Sequence, residues 1–161
     1  MKKIIFTTLI ALTSGLLSFG QQAEKRAQNV FVELAGQGLT VSANYDTRFG
    51  NRRDGLGGRI GIGYISAEKS SLTTIPIGLN YLLGKDKNFF EIGLGATYLG
   101  IKGTDSFFDN SNGHTFIGTM SFSYRLQPVN SGFALRAGIT PIFNSNVFLP
   151  YYAGVSLGYT F

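Results

Sequence analysis

The run Tyr151-Tyr152-Ala153-Gly154-Val155-Ser156-Leu157-Gly158-Tyr159-Thr160-Phe161 decides the fold. Tyr151, Ala153, Val155, Leu157, Tyr159 and Phe161 are apolar. After Tyr152 the intervening positions are Gly154, Ser156, Gly158 and Thr160, all small or hydroxylated. Side chains on a strand alternate between its faces, so this is a strand with one apolar and one polar face. Aromatic residues stand at both ends of the apolar face, and the sequence stops on Phe161. The closing strand of a transmembrane β-barrel has this pattern.

Working outward, the alternation recurs in seven earlier segments. Phe133 to Thr140 sets Phe133, Leu135, Ala137 and Ile139 against Arg136, Gly138 and Thr140. Thr115 to Leu126 sets Phe116, Met120, Phe122, Tyr124 and Leu126 against Thr115, Ile117, Thr119, Ser121, Ser123 and Arg125. Phe89 to Ile101 sets Phe90, Ile92, Leu94, Ala96 and Tyr98 against Glu91, Gly93, Gly95 and Thr97. Thr73 to Leu83 sets Ile75, Ile77, Leu79, Tyr81 and Leu83 against Pro76, Gly78, Asn80 and Leu82. Proline cannot donate to a ladder, so a bulge or the loop-side end of the strand is expected at Pro76. Gly57 to Ile65 sets Ile60, Ile62 and Tyr64 against Arg59, Gly61 and Gly63. Leu39 to Phe49 sets Leu39, Val41, Ala43 and Tyr45 against Thr40, Ser42, Asn44, Asp46 and Arg48. Asn29 to Gly36 sets Val30, Val32 and Leu34 against Phe31, Glu33 and Ala35.

The reading is an all-β, eight-stranded antiparallel up-and-down transmembrane barrel. Strands of about 8–12 residues suit a tilted crossing, which needs roughly 9–11. An even count returns both termini to one side, with short turns there and longer loops opposite. Residues 84–87 and 127–131 are turn-like, and residues 102–114 and 141–150 are longer. Two connections fit less well. Gly36-Gln37-Gly38 is short for an outer loop, and residues 50–55 are long for a periplasmic turn.

Met1-Lys2-Lys3, the apolar run from Ile4 to Leu17 and the small residues Ser18 and Gly20 predict a secretory signal peptide over residues 1–20. Residues 21–28 are then a short periplasmic tail and 29–161 the barrel. The sequence contains no cysteine, which removes a lipid-modified cysteine at the N-terminus and any disulfide framework. About 140 residues remain after processing, one domain's worth. No later run approaches the roughly 18 apolar residues of a membrane helix, so a membrane crossing requires a closed barrel. The formal charge of +5 falls with the loss of Lys2 and Lys3. The remaining basic residues are scattered and form no nucleic-acid-binding stripe.

Alternation alone does not say which face is inside, because a soluble lipocalin-like barrel turns its apolar face inward. Lysine placement decides the expectation. Lys25, Lys69, Lys85, Lys87 and Lys102 fall in the tail, loops or turns, and the polar faces carry mainly Gly, Ser, Thr and Asn. Small residues suit the narrow lumen of an eight-stranded barrel, and eight faces of Phe, Tyr, Leu and Ile would overfill it. The polar faces also hold Glu33, Asp46, Arg48, Arg59, Glu91, Arg125 and Arg136. Buried charges must be paired, so these seven are expected to form an ion-pair network that fills the lumen. The alternative use of such charges is an ion-selective constriction in a narrow pore for small solutes. Tyr45, Tyr64, Tyr81, Tyr98, Tyr124, Tyr151 and Tyr159 are candidates for interfacial girdles; ordinary strand propensity also favours aromatics.

The chain resembles the small eight-stranded outer-membrane barrels of Gram-negative bacteria, the OmpA-like, OmpX-like and PorT-like barrels. The residues that carry the resemblance are the leader, Val32-Glu33-Leu34, Ser42-Ala43-Asn44-Tyr45-Asp46, the run from Ile75 to Gly84, Phe90 to Ala96, and Leu157-Gly158-Tyr159-Thr160-Phe161. The resemblance implies an outer-membrane location in contact with lipid. It also implies that Tyr159 and Phe161 belong to the signal read by the barrel-assembly machinery. It transfers no catalytic residue.

Some barrels of this size act on outer-membrane lipids through a histidine, a serine and an acid. Here His114 is the sole histidine, with Asp105, Ser106, Asp109 and Ser111 nearby in sequence. Thr115-Phe116 follows it, and no His-x-Ser element is present. A nucleophile needs a base in reach and a third group to orient that base. No enzyme activity is expected, and one histidine with dispersed acids makes no metal-ligand set. No cofactor is expected. Phe107 and Phe108 in residues 102–114, and Phe143, Val147, Phe148 and Leu149 in 141–150, are candidate contacts for a protein partner. The same residues would also suit contact with lipid.

Overall fold

The computed structural model describes residues 26–67, 70–103 and 113–161. The expected leader, most of the tail, and Phe107 and Phe108 lie outside those residues. The strands are β1 (Gln28–Ala35), β2 (Val41–Arg48), β3 (Gly55–Ala67), β4 (Ser70–Lys85), β5 (Asn88–Gly103), β6 (Gly113–Leu126), β7 (Gly132–Ile139), β8 (Ile142–Phe143), β9 (Phe148–Leu149) and β10 (Ala153–Thr160). Neighbours run β5-β4-β3-β2-β1-β10-β7-β6, and a β5–β6 pairing closes the ring. Every pairing is antiparallel. Closure joins the two ends of this eight-strand ring, as a wall in lipid requires.

β8 and β9 correct the reading of 141–150 as a loop. β7 ends at Ile139, and after Thr140 and Pro141 the chain rejoins β6 through Ile142 opposite Thr119 and Phe143 opposite Gly118. The break is bridged by Met120 N–H donating to the Pro141 carbonyl at 2.9 Å. β9 then folds back on β8 around Asn144, whose Oδ1 accepts from the N–H groups of Asn146 (2.8 Å) and Val147 (2.7 Å). An Asx turn of this kind needs no glycine.

The expectation for Pro76 is also corrected. It lies in mid-strand with its side chain buried. The β3–β4 pairing skips Gly61 and Ile62, opposite Pro76 and Ile75, and resumes in the same register at Gly63 and Thr74. On the other side Pro76 stays paired with Thr97 of β5. The missing donor costs ladder steps on one side only and shifts nothing.

β4 and β5 have 16 residues each, longer than a membrane crossing needs. Lys85 and Lys102 therefore lie on strand extensions rather than in turns. The short connection after β1 is a 3-10 turn, Gly36–Gly38, entered through Ala35 and left through Leu39, both in positive-φ conformations. Leu39 thus belongs to the turn and not to the apolar face of β2.

The burial pattern gives the faces. Val30, Val32, Ile60, Ile62, Ile77, Leu79, Leu94, Leu135, Val155 and Leu157 are exposed on the outside of the ring. Asn29, Glu33, Ser42, Asn44, Asp46, Arg59, Asn80, Glu91 and Arg125 are buried within it. This polarity is that of a transmembrane barrel.

Candidate functional site

The lumen is where the structure concentrates chemistry. The strands place Glu33, Asp46, Arg48, Arg59, Glu91, Arg125 and Arg136 inside, and all seven are buried. They form two groups. In the first, Arg59 clamps Glu33 with Nη2 to Oε2 at 2.7 Å and Nη1 to Oε1 at 3.1 Å. Arg59 Nη2 also donates to Asn44 Oδ1 at 2.7 Å, and Gly38 N–H donates to Glu33 Oε2 at 3.1 Å. A two-pronged guanidinium–carboxylate contact fixes orientation as well as charge.

The second group is a chain, Arg48–Asp46–Arg125–Glu91–Arg136. Asp46 Oδ1 receives Arg48 Nη2 at 2.7 Å and Arg125 Nη1 at 3.0 Å. Its Oδ2 receives Asn80 Nδ2 at 2.5 Å, and Arg48 Nη2 also donates to Asn80 Oδ1. Glu91 Oε2 lies 3.3 Å from Arg125 Nη1 and 3.1 Å from Arg136 Nε. Asp46 and Arg48 are both 0% exposed. Phe31 lies between two guanidinium groups, 5.0 Å from that of Arg59 and 4.5 Å from that of Arg136. Cation–π attraction makes an aromatic ring compatible with a charged interior. Small residues leave the room: a Cβ at Gly57 would strike the Arg48 guanidinium, and one at Gly158 would strike Phe31.

Both ends of this interior are capped by the two connections whose lengths looked anomalous. At the end away from the termini, the 36–38 turn folds inward, and Gly36, Gln37 and Gly38 are buried. Thr97 Oγ1 donates to the Gln37 carbonyl at 2.6 Å, and Tyr152 Oη to the Leu39 carbonyl at 2.6 Å. A Cβ at Gly154 would strike the Gly36 backbone. At the end holding the termini, the segment between β2 and β3 crosses the opening. Arg53 there donates to the carbonyls of Asp86 (2.6 Å), Gln127 (2.9 Å) and Pro128. Three connections are thereby tied together. Between the caps, Glu33, Arg59, Glu91, Ser121, Ser123 and Arg136 border a cavity with room for about one water.

No family model matches the chain, and no curated protein matches it. Among solved structures, it is similar to the crystal structure of the N-terminal β-barrel domain of Pseudomonas aeruginosa OprF, with a TM-score of 0.56 and 14% sequence identity. The match covers 88% of this chain and 100% of that domain. The fold is the OmpA-like eight-stranded barrel. At this identity the likeness is one of architecture.

The expected aromatics stand on the outer face at two levels. Near the termini are Tyr45, Tyr81, Tyr124 and Tyr159, joined by Phe90, Phe133 and Phe161. Tyr45 Oη donates to Gln28 Oε1 at 2.5 Å and Tyr124 Oη to Asn88 Oδ1 at 2.6 Å, so both hydroxyls reach toward polar groups at that end. At the far level are Tyr64, Tyr98 and Phe116, with Tyr151 beside the β9–β10 connection; Tyr98 and Phe116 meet edge to face at 5.4 Å. From Phe90 to Tyr98, at about 3.4 Å per residue and a tilt of about 40°, the belt is about 20 Å tall. Phe148 is exposed on β9, beside exposed Val147 and Leu149. His114 is exposed and stacks near Tyr98, with ring centroids 6.4 Å apart. Asp105, Ser106, Asp109 and Ser111 lie outside the described residues.

Sequence reasoning missed a change of polarity past the far aromatics. There the inward residues of β3–β6 are Ile65, Leu72, Leu99, Ile101 and Thr115, and the outward ones are Ser66, Ser71, Thr73, Lys102 and His114. Leu99 is buried, whereas Ile65 and Ile101 remain 48% and 44% exposed. The signal was available: in β5 the apolar phase moves from even to odd positions after Tyr98.

Proposed function

We propose that the chain is an integral outer-membrane protein with a filled, capped lumen, whose role is structural or interactive and is exercised by the far end of the barrel. The single observation that carries the reading is the doubly capped lumen, in which seven buried charged side chains form the two ion-pair groups. A path for solutes would have to break Asp46–Arg125 or Glu33–Arg59. Each break leaves a buried charge unpaired. The apolar outer belt between two aromatic levels supports lipid contact, with the termini on the periplasmic side. The exposed Val147, Phe148 and Leu149, and the partly exposed inner face at Ile65 and Ile101, support a partner-binding role for the outer end.

The test is reconstitution in planar bilayers. The expected result is no steady conductance in any common salt. Stable, large-conductance channels would establish the narrow-pore alternative instead. Proximity labelling from residue 148 in cells tests the interaction arm: one strongly enriched neighbour supports it, and label spread evenly over lipid and unrelated proteins supports a purely structural role.

A further inference from the structure

The buried charges do not balance. Glu33 and Arg59 neutralise each other, but the chain of five holds three arginines, Arg48, Arg125 and Arg136, against two carboxylates, Asp46 and Glu91. Arginine keeps its proton in proteins, so the surplus positive charge cannot be removed by titration. The surplus is shared along the chain: Arg48 and Arg125 meet at Asp46 Oδ1, and Arg125 and Arg136 meet at Glu91 Oε2.

A second cavity lies against that pair. It is bounded by Asn29, Phe31, Arg125, Ala134, Arg136 and Ser156, with room for about one water-sized sphere and no carboxylate in its lining. Arg125 is 1% and Arg136 7% exposed. Arg125 Nε and Nη2 and Arg136 Nε and Nη1 have no hydrogen-bond partner, and neither has the neighbouring acceptor Glu91 Oε1. Two like charges with idle donors beside a space that no carboxylate lines is an arrangement that burial penalises unless something negative sits there. Asn29 also lines the cavity. Its Nδ2 donates to Thr160 Oγ1 at 3.0 Å while its Oδ1 is unpartnered. Turning that amide over lets the threonine hydroxyl donate to Oδ1 and frees the NH2 for the cavity.

We infer that this cavity is a binding site for one small monovalent anion of halide size, chloride in ordinary media. The anion accepts N–H bonds from Arg125 and Arg136 and completes the charge balance of the lumen. The site asks for a spherical, singly charged acceptor because the space admits nothing larger and the surplus is a single charge. A helix terminus or phosphate-type cradle is not involved.

The experiment uses the whole protein in detergent micelles. Unfolding midpoints in urea are measured from halide-free buffer upward in sodium chloride, sodium bromide and sodium gluconate at matched ionic strength. Chloride and bromide are expected to raise the midpoint and gluconate, too large for the cavity, to leave it unmoved. Well above half filling, each tenfold rise in chloride lowers the unfolding constant about tenfold, as for one linked site. Arg136→Gln removes the surplus charge and is expected to flatten the dependence. If that variant does not fold, crystals of the unaltered protein grown in sodium bromide supply the second readout, an anomalous peak between Arg125 and Arg136. Equal midpoints in chloride and gluconate, or bromide crystals with only water in this cavity, would overturn the inference. Conductance in bilayers bears on the closed-lumen reading alone, so the two proposals fail separately.

Discussion

Between the aromatic levels the outer face of the barrel is apolar and its inner face is charged; beyond the far level the same strands reverse. β5 makes the contrast within one element. Ile92, Leu94 and Ala96 look outward and Glu91, Gly93 and Thr97 inward, but past Tyr98 it is Leu99 and Ile101 that look inward and Lys102 outward. The backbone and pairing are continuous through the change. In the outer-membrane reading proposed above, what differs is the medium outside. Lipid accepts hydrocarbon and rejects charge, so the lumen must take the polar side chains. Water outside removes that demand, and the inner face becomes the shelter for Leu99. Strand polarity in this molecule is therefore set by the surroundings of its outer face.

The contrast can be broken most forcefully from the lumen. Asp46→Ala leaves Arg48 and Arg125 without their shared counter-charge, and a loss of about 3–5 kcal/mol is expected in urea unfolding in micelles. Replacing Glu33 and Arg59 together by Leu and Met is expected to be far milder than either single change, because it removes the charges as a pair. Next in size is Leu94→Arg in the middle of the outer belt, at about 2–4 kcal/mol in a lipid bilayer. Its partner experiment is Ser66→Arg, also outward but past the far aromatics, expected within about 0.5 kcal/mol of the unaltered protein. Equal costs for those two would erase the distinction between the regions.

The caps give smaller effects. Gly154→Ala drives a methyl group into the Gly36 backbone, and a cost of about 1–3 kcal/mol is expected from overpacking. Arg53→Ala removes the donors to Asp86, Gln127 and Pro128 at the opposite cap. Because the group is partly solvated, about 1 kcal/mol is expected. Calorimetry of both variants in one detergent sets the inner cap against the terminal one.

The strands that face lipid were legible because lipid on one side and a narrow lumen on the other enforce a strict period of two. The last strand shows this from Ala153 to Thr160. The extensions of β3–β6 were not read as a separate zone because their alternation continues with the phase inverted, which looks like a strand fading into a loop. β8 and β9 are too short to show a period at all. The seven lumen charges could be named from their faces, but their partners could not. Asp46 meets Arg125 across the lumen, a contact set by barrel stagger rather than spacing in the chain. Gly36-Gln37-Gly38 and the 49–54 segment carry ordinary turn residues, and nothing local says that they fold across an opening. Pro76 misled for a simpler reason: the loss of one donor need not shift the register when the other neighbour holds.

The most direct measurement is a scan of single-cysteine spin labels along residues 90–102 in liposomes, which the absence of native cysteine makes unambiguous. Collision with oxygen reports lipid, and collision with a water-soluble nickel complex reports water. Labels at 92, 94 and 96 are expected to meet oxygen, those at 91, 93, 95 and 97 neither reagent, and one at 102 nickel. Nickel access at 92, 94 and 96, with no inversion past 98, would contradict the account.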